Sequence, residues 1–144
     1  MYEAIVVGTD GSETATTALR RAVELARLCG GTLHIVSAFR PVSVNKLQAQ
    51  RRGLPEEFRW ALSADAELQA TLHAARRVAT EAGVKAETVG QVGDPVDVIL
   101  ATAEEVRADL IVIGSKGIER RILGSVPNSI THDAECDVLV VHTV

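Results

Sequence analysis

Aromatic side chains are scarce in this chain. They make up 3% of its residues and comprise Tyr2, Phe39, Phe58 and Trp60. Proteins that bind single-stranded nucleic acid stack the bases on such rings, so the composition disfavours that class. An excess of positive charge is also lacking, because 15 Lys and Arg stand against 19 Asp and Glu, for a net charge of −4. With no basic field to attract DNA, RNA or anionic lipid, we expect neither a nucleic acid nor a membrane among the partners.

Long apolar runs and cysteines are few as well. No stretch reaches the roughly 18 consecutive apolar residues of a transmembrane helix. Residues 1–12, MYEAIVVGTDGS, lack the basic region and the apolar segment of a signal peptide. The two cysteines, Cys29 and Cys136, do not make a disulfide framework. Together these features predict a cytoplasmic protein.

Motifs of nucleophilic and metal-dependent catalysis are missing. The sequence contains neither G-x-S-x-G nor H-E-x-x-H, and neither the Walker A pattern nor G-x-G-x-x-G. The histidines His34, His73, His132 and His142 are scattered along the chain, whereas a metal site needs several convergent ligands. We therefore expect no metal centre built from side chains and no enzyme.

What the sequence does contain is a regular alternation of short β-branched runs and longer amphipathic segments. The predicted strands are 4–8, 32–39, 85–92, 109–114 and 137–142, and the predicted helices are 14–28, 63–82, a segment from 94 onward, and 126–134. This alternation favours parallel strands joined by right-handed crossovers. The predicted fold is an open, doubly wound α/β sheet with helices on both faces. We predict one domain over 1–144, with an irregular excursion at about 41–60.

Local signals support three helix ends in this prediction. Ser12 is a candidate N-cap for the first helix, and Gly30 is expected to stop it because glycine tolerates the left-handed conformation. Asp94 followed by Pro95 predicts an N-cap with proline in the first helical position.

In such a sheet, ligands bind beyond the carboxyl ends of the strands. The residues that the first four strands place at these ends are, in order, Gly8, Thr9 and Asp10, then Ala38, then Val92 and Gly93, then Gly114. Lys116 and Gly117 follow the fourth strand, and Gly124, Ser125 and Val126 stand at the start of the last helix. Glycines let a backbone approach an anion closely, and helix N-termini offer free N–H groups. From local sequence alone, a plain turn-and-cap role explains the glycines equally well, and Asp10 is either a turn residue or a ligand for ribose or a phosphate-bound metal.

Three segments in this order resemble the universal stress protein family. They are IVVGTDGS at the first strand–helix junction, GDPVDVILATAEEVRADLIVIGSKG in the second half, and LGSVPNSI with HDAECDVLVVHT at the end. The resemblance implies a Rossmann-like parallel sheet with strand order 3-2-1-4-5. It also implies a homodimer, and the fifth strand, an apolar edge that lacks proline, is the expected interface.

One branch of that family binds ATP through Gly-x-x-Gly, nine residues, then Gly-Ser or Gly-Thr. The resemblance assigns Gly114 and Gly117 to the first pair and Gly124 with Ser125 to the end. Here only six residues, 118–123, lie between. Three fewer residues shorten the reach by up to about 10 Å if the chain is extended.

The resemblance thus implies a regulatory stress-response protein that binds an adenine nucleotide, ATP or cyclic AMP. Asp10 would hold ribose or phosphate, or a phosphate-bound Mg²⁺, while Ala38 and Val92 would flank adenine. The remaining positions named above (Gly8, Thr9, Gly93, Gly114, Lys116, Gly117, Gly124, Ser125 and Val126) complete the predicted site. The alternative is a dimeric interaction module without nucleotide, as in the family's other branch. A slow ATP hydrolase is the least supported reading, since no general base stands out.

Overall fold

The structure is a computed structural model that describes the backbone of residues 1–39, 54–115 and 125–143. Its strands are β1 (Ala4–Gly8), β2 (Thr32–Phe39), β3 (Ala86–Val92), β4 (Leu110–Gly114) and β5 (Asp137–Val141). Its helices are α1 (Glu13–Cys29), α2 (Leu54–Glu81), α3 (Pro95–Glu105) and α4 (Ser125–Asp133). Strands and helices alternate along the chain, as the sequence predicts.

The five strands form one parallel sheet in the order β3-β2-β1-β4-β5. β1 lies at its centre, with Ile5 opposite Leu33 of β2 on one side and Leu110 of β4 on the other. The predicted strand order is therefore confirmed. The chain reverses its winding direction between β1 and β4, and this is where ligands bind in open α/β sheets.

Alternating side chains of the strands feed two separate cores. Val6, Val36 and Ile113 point to one face of the sheet, where α3 and α4 cover them, and Ile5 and Val7 point to the other, where α1 and α2 cover them. All five side chains are at most 3% exposed. A strand buried on both faces reads as a continuous apolar run, which is the pattern of 4–8. Helices on both faces are thus confirmed.

The predicted helix ends are formed by local hydrogen bonds. The backbone N–H of Ala15 donates to Oγ of Ser12 at 3.2 Å, and Gly30 ends α1 in the left-handed conformation with φ of 69°. At α3, the N–H of Val96 donates to Oδ1 of Asp94 at 2.9 Å, and Pro95 occupies the first turn. None of the described helices is long and apolar enough to cross a membrane.

The prediction was wrong about where the second helix begins. The sequence predicts the excursion at about 41–60 and the helix from about 63, whereas α2 starts at Leu54. Pro55 accounts for the difference, because proline has no N–H to donate and its fixed φ suits the first turn, where that N–H has no helical partner. A proline within the predicted excursion thus stands at a helix start. The rest of the predicted excursion, 41–53, lies outside the described residues.

Candidate functional site

A cavity of about 480 Å³ opens at the carboxyl ends of β1, β2 and β4. Its described walls come from the strand ends, the β1–α1 turn and the first turns of α1, α3 and α4; they are Gly8, Thr9, Asp10, Thr14, Ala15, Val36, Ala38, Pro95, Ile99, Ile113, Gly114, Val126 and Pro127. Small-molecule sites are of this size and have this mixture of many apolar walls with a few polar groups.

The polar side of the cavity is the turn between β1 and α1. Thr9 continues the strand through its N–H, which donates to the carbonyl of Val36 at 2.9 Å. Its Oγ1 accepts the N–H of Gly11 at 3.2 Å, and Gly11 has φ of 82°, a left-handed value that favours glycine. Oδ1 of Asp10 accepts the N–H of Ser12 at 2.9 Å. These bonds fix the Asp10 carboxylate at the cavity rim, just before the first turn of α1.

The apolar side is formed where α3 packs on the sheet. Ile99 is 4% exposed and lies over Gly8 so closely that a Cβ atom added to this glycine would stand 2.8 Å from its Cδ1. Val36 and Ala38 alternate with Ser37 along β2 and therefore face this same side. A planar ring could bury its faces against these side chains without meeting an unpaired polar group.

The first turns of α1 and α4 supply the electrostatics. N–H groups in the first turn of a helix have no helical acceptor, and the dipole places partial positive charge there. Thr14 and Ala15 bring α1 to the cavity, and Val126 and Pro127 bring α4. Asp10 is the single ionisable side chain among the described lining residues. Within the described walls, an anion would therefore be held by neutral donors, namely the hydroxyls of Thr9 and Thr14 and those N–H groups that are still available, because Ala15 already donates its N–H to Ser12 and Pro127 has none.

Six of the predicted site residues come together in this cavity: Gly8, Thr9, Asp10, Ala38, Gly114 and Val126. Val92 and Gly93 do not line it. Val92 is the last residue of the edge strand β3 and Gly93 follows it; β2 lies between this strand and β1, and the Val92 side chain is 58% exposed. Ser125 begins α4. Lys116, Gly117 and Gly124 lie outside the described residues, so their predicted role stays a prediction.

The remaining lining residues were not predicted; they are Thr14, Ala15, Val36, Pro95, Ile99, Ile113 and Pro127. Two kinds of signal could have found some of them. Val36 and Ile113 lie one or two positions before predicted site residues on the same strands, and Pro95 and Pro127 stand at helix starts that reach the sheet edge. Ile99 is one of several apolar residues in the helix that follows Pro95, and periodicity does not tell which of them reaches a cavity.

Among the described residues, no group of three or more His, Cys, Asp or Glu side chains could hold a metal ion.

Comparison with known proteins identifies the architecture. The model of the universal stress protein family matches residues 1–142.

The chain belongs to the universal stress protein family.

Universal stress protein Rv1636 of Mycobacterium tuberculosis (strain H37Rv) is 36% identical over 146 residues, which span 99% of this chain and 97% of the relative. A universal stress protein crystallised in complex with cAMP has a TM-score of 0.76 and 35% identity, covering 99% of this chain and 98% of that one. The universal stress protein of Archaeoglobus fulgidus in complex with dAMP has a TM-score of 0.70 and 30% identity, covering 96% and 97%. Two members similar to this chain thus bind adenine nucleotides.

Proposed function

We propose that this universal stress protein is a cytoplasmic regulatory protein of the stress response that binds an adenine nucleotide, cyclic AMP or ATP. The observation that carries the proposal is the cavity at the reversal point between β1 and β4. It combines apolar walls, one fixed carboxylate and the starts of α1 and α4, as a nucleotide's base, ribose and phosphate require. The similar proteins in complex with cAMP and dAMP support it.

Each part of the ligand has a matching wall. The base packs against Ala38, Val36 and Ile99, whose side chains offer no hydrogen bond. A ribose hydroxyl donates to the carboxylate of Asp10, which the N–H of Ser12 already orients. The phosphate lies toward the N-termini of α1 and α4, where backbone N–H groups favour an anion.

The charge of the walls favours a ligand with few charges. No Lys or Arg stands among the described lining residues, and Asp10 is negative. The six-residue spacing between Gly117 and Gly124 is shorter than that of the ATP-binding branch. We therefore expect cyclic AMP or AMP to bind at least as well as ATP.

If ATP binds, Asp10 is the described residue that could hold Mg²⁺ bound to its phosphates, since carboxylates are the ligands that Mg²⁺ prefers.

Binding in this cavity is not expected to be accompanied by fast hydrolysis. Backbone N–H groups that hold the ground state and the transition state equally well do not accelerate a reaction. Asp10 is the single acid or base among the described walls, and its Oδ1 already accepts a hydrogen bond from Ser12. An ATPase rate of about 1 s⁻¹ or more, abolished by Asp10→Asn, would contradict this part of the proposal.

We also propose that the protein is a homodimer through β5. Among the strands that the structure describes, β5 lies at one edge of the sheet and pairs only with β4. Val138, Leu139 and Val140 on it are half-buried. A second copy related by a two-fold axis would cover this edge in both chains.

Calorimetry with cyclic AMP, AMP, ATP and ATP with Mg²⁺ tests the nucleotide proposal. We expect heat from cyclic AMP or AMP, and a weakening of about tenfold or more in Ala38→Leu, because the larger side chain occupies space in the cavity; tenfold corresponds to about 1.4 kcal/mol. The matched control is Ala66→Leu, which adds the same atoms at an exposed position of α2. No heat from any adenine nucleotide, with circular dichroism showing a folded chain, would favour the interaction module instead.

A further inference from the structure

The segment after β5 crosses the carboxyl end of β4 and is bonded to it. The N–H of Ser115 donates to the carbonyl of Val141 at 2.9 Å. In return, the N–H of Thr143 donates to Oγ of Ser115 at 2.9 Å, and the hydroxyls of the two residues are 3.3 Å apart. Ser115 is 1% exposed. A buried hydroxyl must find its partners within the protein, and here the C-terminal segment provides them.

These bonds extend the β4–β5 pairing by one step beyond the strands. The register of the ladder ends with Gly114 opposite Val141. Ser115 and Thr143 continue it through a side chain rather than through two backbones. We call this pair the C-terminal latch. It joins the end of β4 to the segment that follows β5.

Gly114, the residue that the latch adjoins, is part of the cavity wall. Gly114 is closely packed on the side to which a Cβ would point, since a Cβ atom added there would lie 3.2 Å from Cγ2 of Thr143 and 3.6 Å from the carbonyl oxygen of Thr14. Thr14 lies in the first turn of α1 and lines the cavity. The C-terminal segment therefore packs against Gly114 next to Thr14, and both Gly114 and Thr14 line the cavity.

We propose that the C-terminal latch positions Gly114 in the cavity wall and thereby sets the affinity for the nucleotide. Ser115 is its positioning residue, acting through backbone rather than by touching the ligand. Glycine has the largest conformational freedom to lose, so a wall that contains it binds tightly only when neighbouring contacts hold it in place before the ligand arrives. This inference rests on the proposed function.

The test uses cyclic AMP as the probe and compares three variants of the full chain. Ser115→Ala removes both hydroxyl contacts of the latch. Thr143→Val keeps the backbone N–H that donates to Ser115 and removes only the second hydroxyl. Thr102→Val is the control, because Thr102 is also buried and donates to the carbonyl of Val98 at 2.8 Å, but does not line the cavity.

We expect Ser115→Ala to weaken cyclic AMP binding by about fivefold, as the loss of one net hydrogen bond would, with a smaller effect in Thr143→Val and none in Thr102→Val. Amide exchange at Gly114 in the absence of ligand should be faster in Ser115→Ala than in the unmodified chain. Urea titration of all three shows whether binding was measured on folded protein.

Two outcomes separate this inference from the proposed function. If the unmodified chain binds cyclic AMP and Ser115→Ala binds it equally well, the latch does not set affinity, and only this inference is overturned. If the unmodified chain binds none of the adenine nucleotides, the proposed function fails and the inference fails with it.

Discussion

The hydroxyl of Tyr2 donates a 2.9 Å hydrogen bond to Oδ2 of Asp137, a residue 135 positions away in the sequence. Tyr2 precedes the central strand β1, and Asp137 is the first residue of the edge strand β5. Because β4 lies between these strands, the bond spans the beginning of three strands. It therefore connects β1 to β5 at the amino ends of the strands, the end of the sheet opposite the cavity.

This bond gives the first prediction, a tyrosine that titrates late. The hydrogen bond to Asp137, then desolvation, and then the negative charges of Asp137 and Asp109 raise the pKa of the Tyr2 hydroxyl. Since the chain has one tyrosine, the absorbance of tyrosinate reports it alone. We expect an apparent pKa above the ordinary value of about 10 in the folded protein, and a return toward that value in Asp137→Asn. Titration at the ordinary value in the unmodified chain would contradict the prediction.

A consequence for stability follows from the direction of this shift. When folding raises a pKa, the folded chain holds the proton more tightly, so the stabilisation is complete below the unfolded pKa and is lost as the pH rises through the folded one. The free energy of unfolding should therefore fall more steeply above pH of about 10 in the unmodified chain than in Tyr2→Phe. Equal slopes would show that the bond is not linked to folding.

A second anchor at this end of the sheet is Asp109. Its Oδ2 accepts the N–H of Glu3 at 2.9 Å, and its Oδ1 accepts the N–H of Ala4 at 3.1 Å. Hydrogen bonds to a charged group contribute about 1.5–3 kcal/mol each. We expect Asp109→Ala to lower the free energy of unfolding by at least about 1.5 kcal/mol in urea titrations, and Asp109→Asn, which keeps one acceptor, to lower it less.

The matched control for this prediction is Glu105→Ala. It removes an exposed carboxylate at the end of α3, so its effect should stay within about 0.5 kcal/mol. If Asp109→Ala were as mild as this control, the two bonds to the start of β1 would contribute nothing to the stability of the sheet.

The features that sequence predicts well are those decided within a few residues. Ser12 accepts from a backbone N–H three positions on, Asp94 from one two positions on, and Gly30 needs only its own freedom to adopt positive φ. The apolar runs of the strands predict burial on both faces for the same reason. Pro55 was not predicted correctly, because proline occurs both in loops and in the first turn of a helix, and the neighbouring residues do not decide between the two.

The cavity walls were predicted only in part because they depend on distant packing. Gly8, Asp10 and Gly114 follow directly from strand ends, where any open α/β sheet places its ligands. Ile99 reaches the cavity because Gly8, ninety-one positions earlier, leaves room for it. Val92 ends a strand too, but the strand is an edge, and the side chain is 58% exposed.

The contact between Gly8 and Ile99 gives a third prediction. A methyl group at Gly8 would stand 2.8 Å from Cδ1 of Ile99, so Gly8→Ala must displace this side chain, which itself lines the cavity. Because Cδ1 ends a rotatable side chain, we expect a loss of stability of only about 1–3 kcal/mol, together with weaker cyclic AMP binding in calorimetry.

A double-mutant cycle isolates the contact. Ile99→Val removes Cδ1 at a cost of about 0.5–1.5 kcal/mol and makes room for the new methyl group. The effect of Gly8→Ala should therefore be smaller in the Ile99→Val background, with a coupling of at least about 0.5 kcal/mol. Strict additivity of the two changes, in stability and in affinity, would show that Ile99 does not limit what position 8 can hold.

The last prediction concerns the proposed dimer edge. An apolar edge strand is exposed to unwanted association unless charge or a partner protects it. Within β5, Asp137 at the start is charged, and Val138, Leu139 and Val140 are half-buried apolar residues. We expect light scattering at micromolar concentration to give the mass of two chains, and Val140→Lys to shift it toward one, because a charge would then have to be buried between the copies.

Val140 also packs against the core formed with α3 and α4, so circular dichroism must show that the variant is folded. Val140→Thr keeps the branched shape without a charge and should remain dimeric. A single-chain mass for the unmodified protein, or a Val140→Lys protein that stays folded and dimeric, would place the interface elsewhere or remove it.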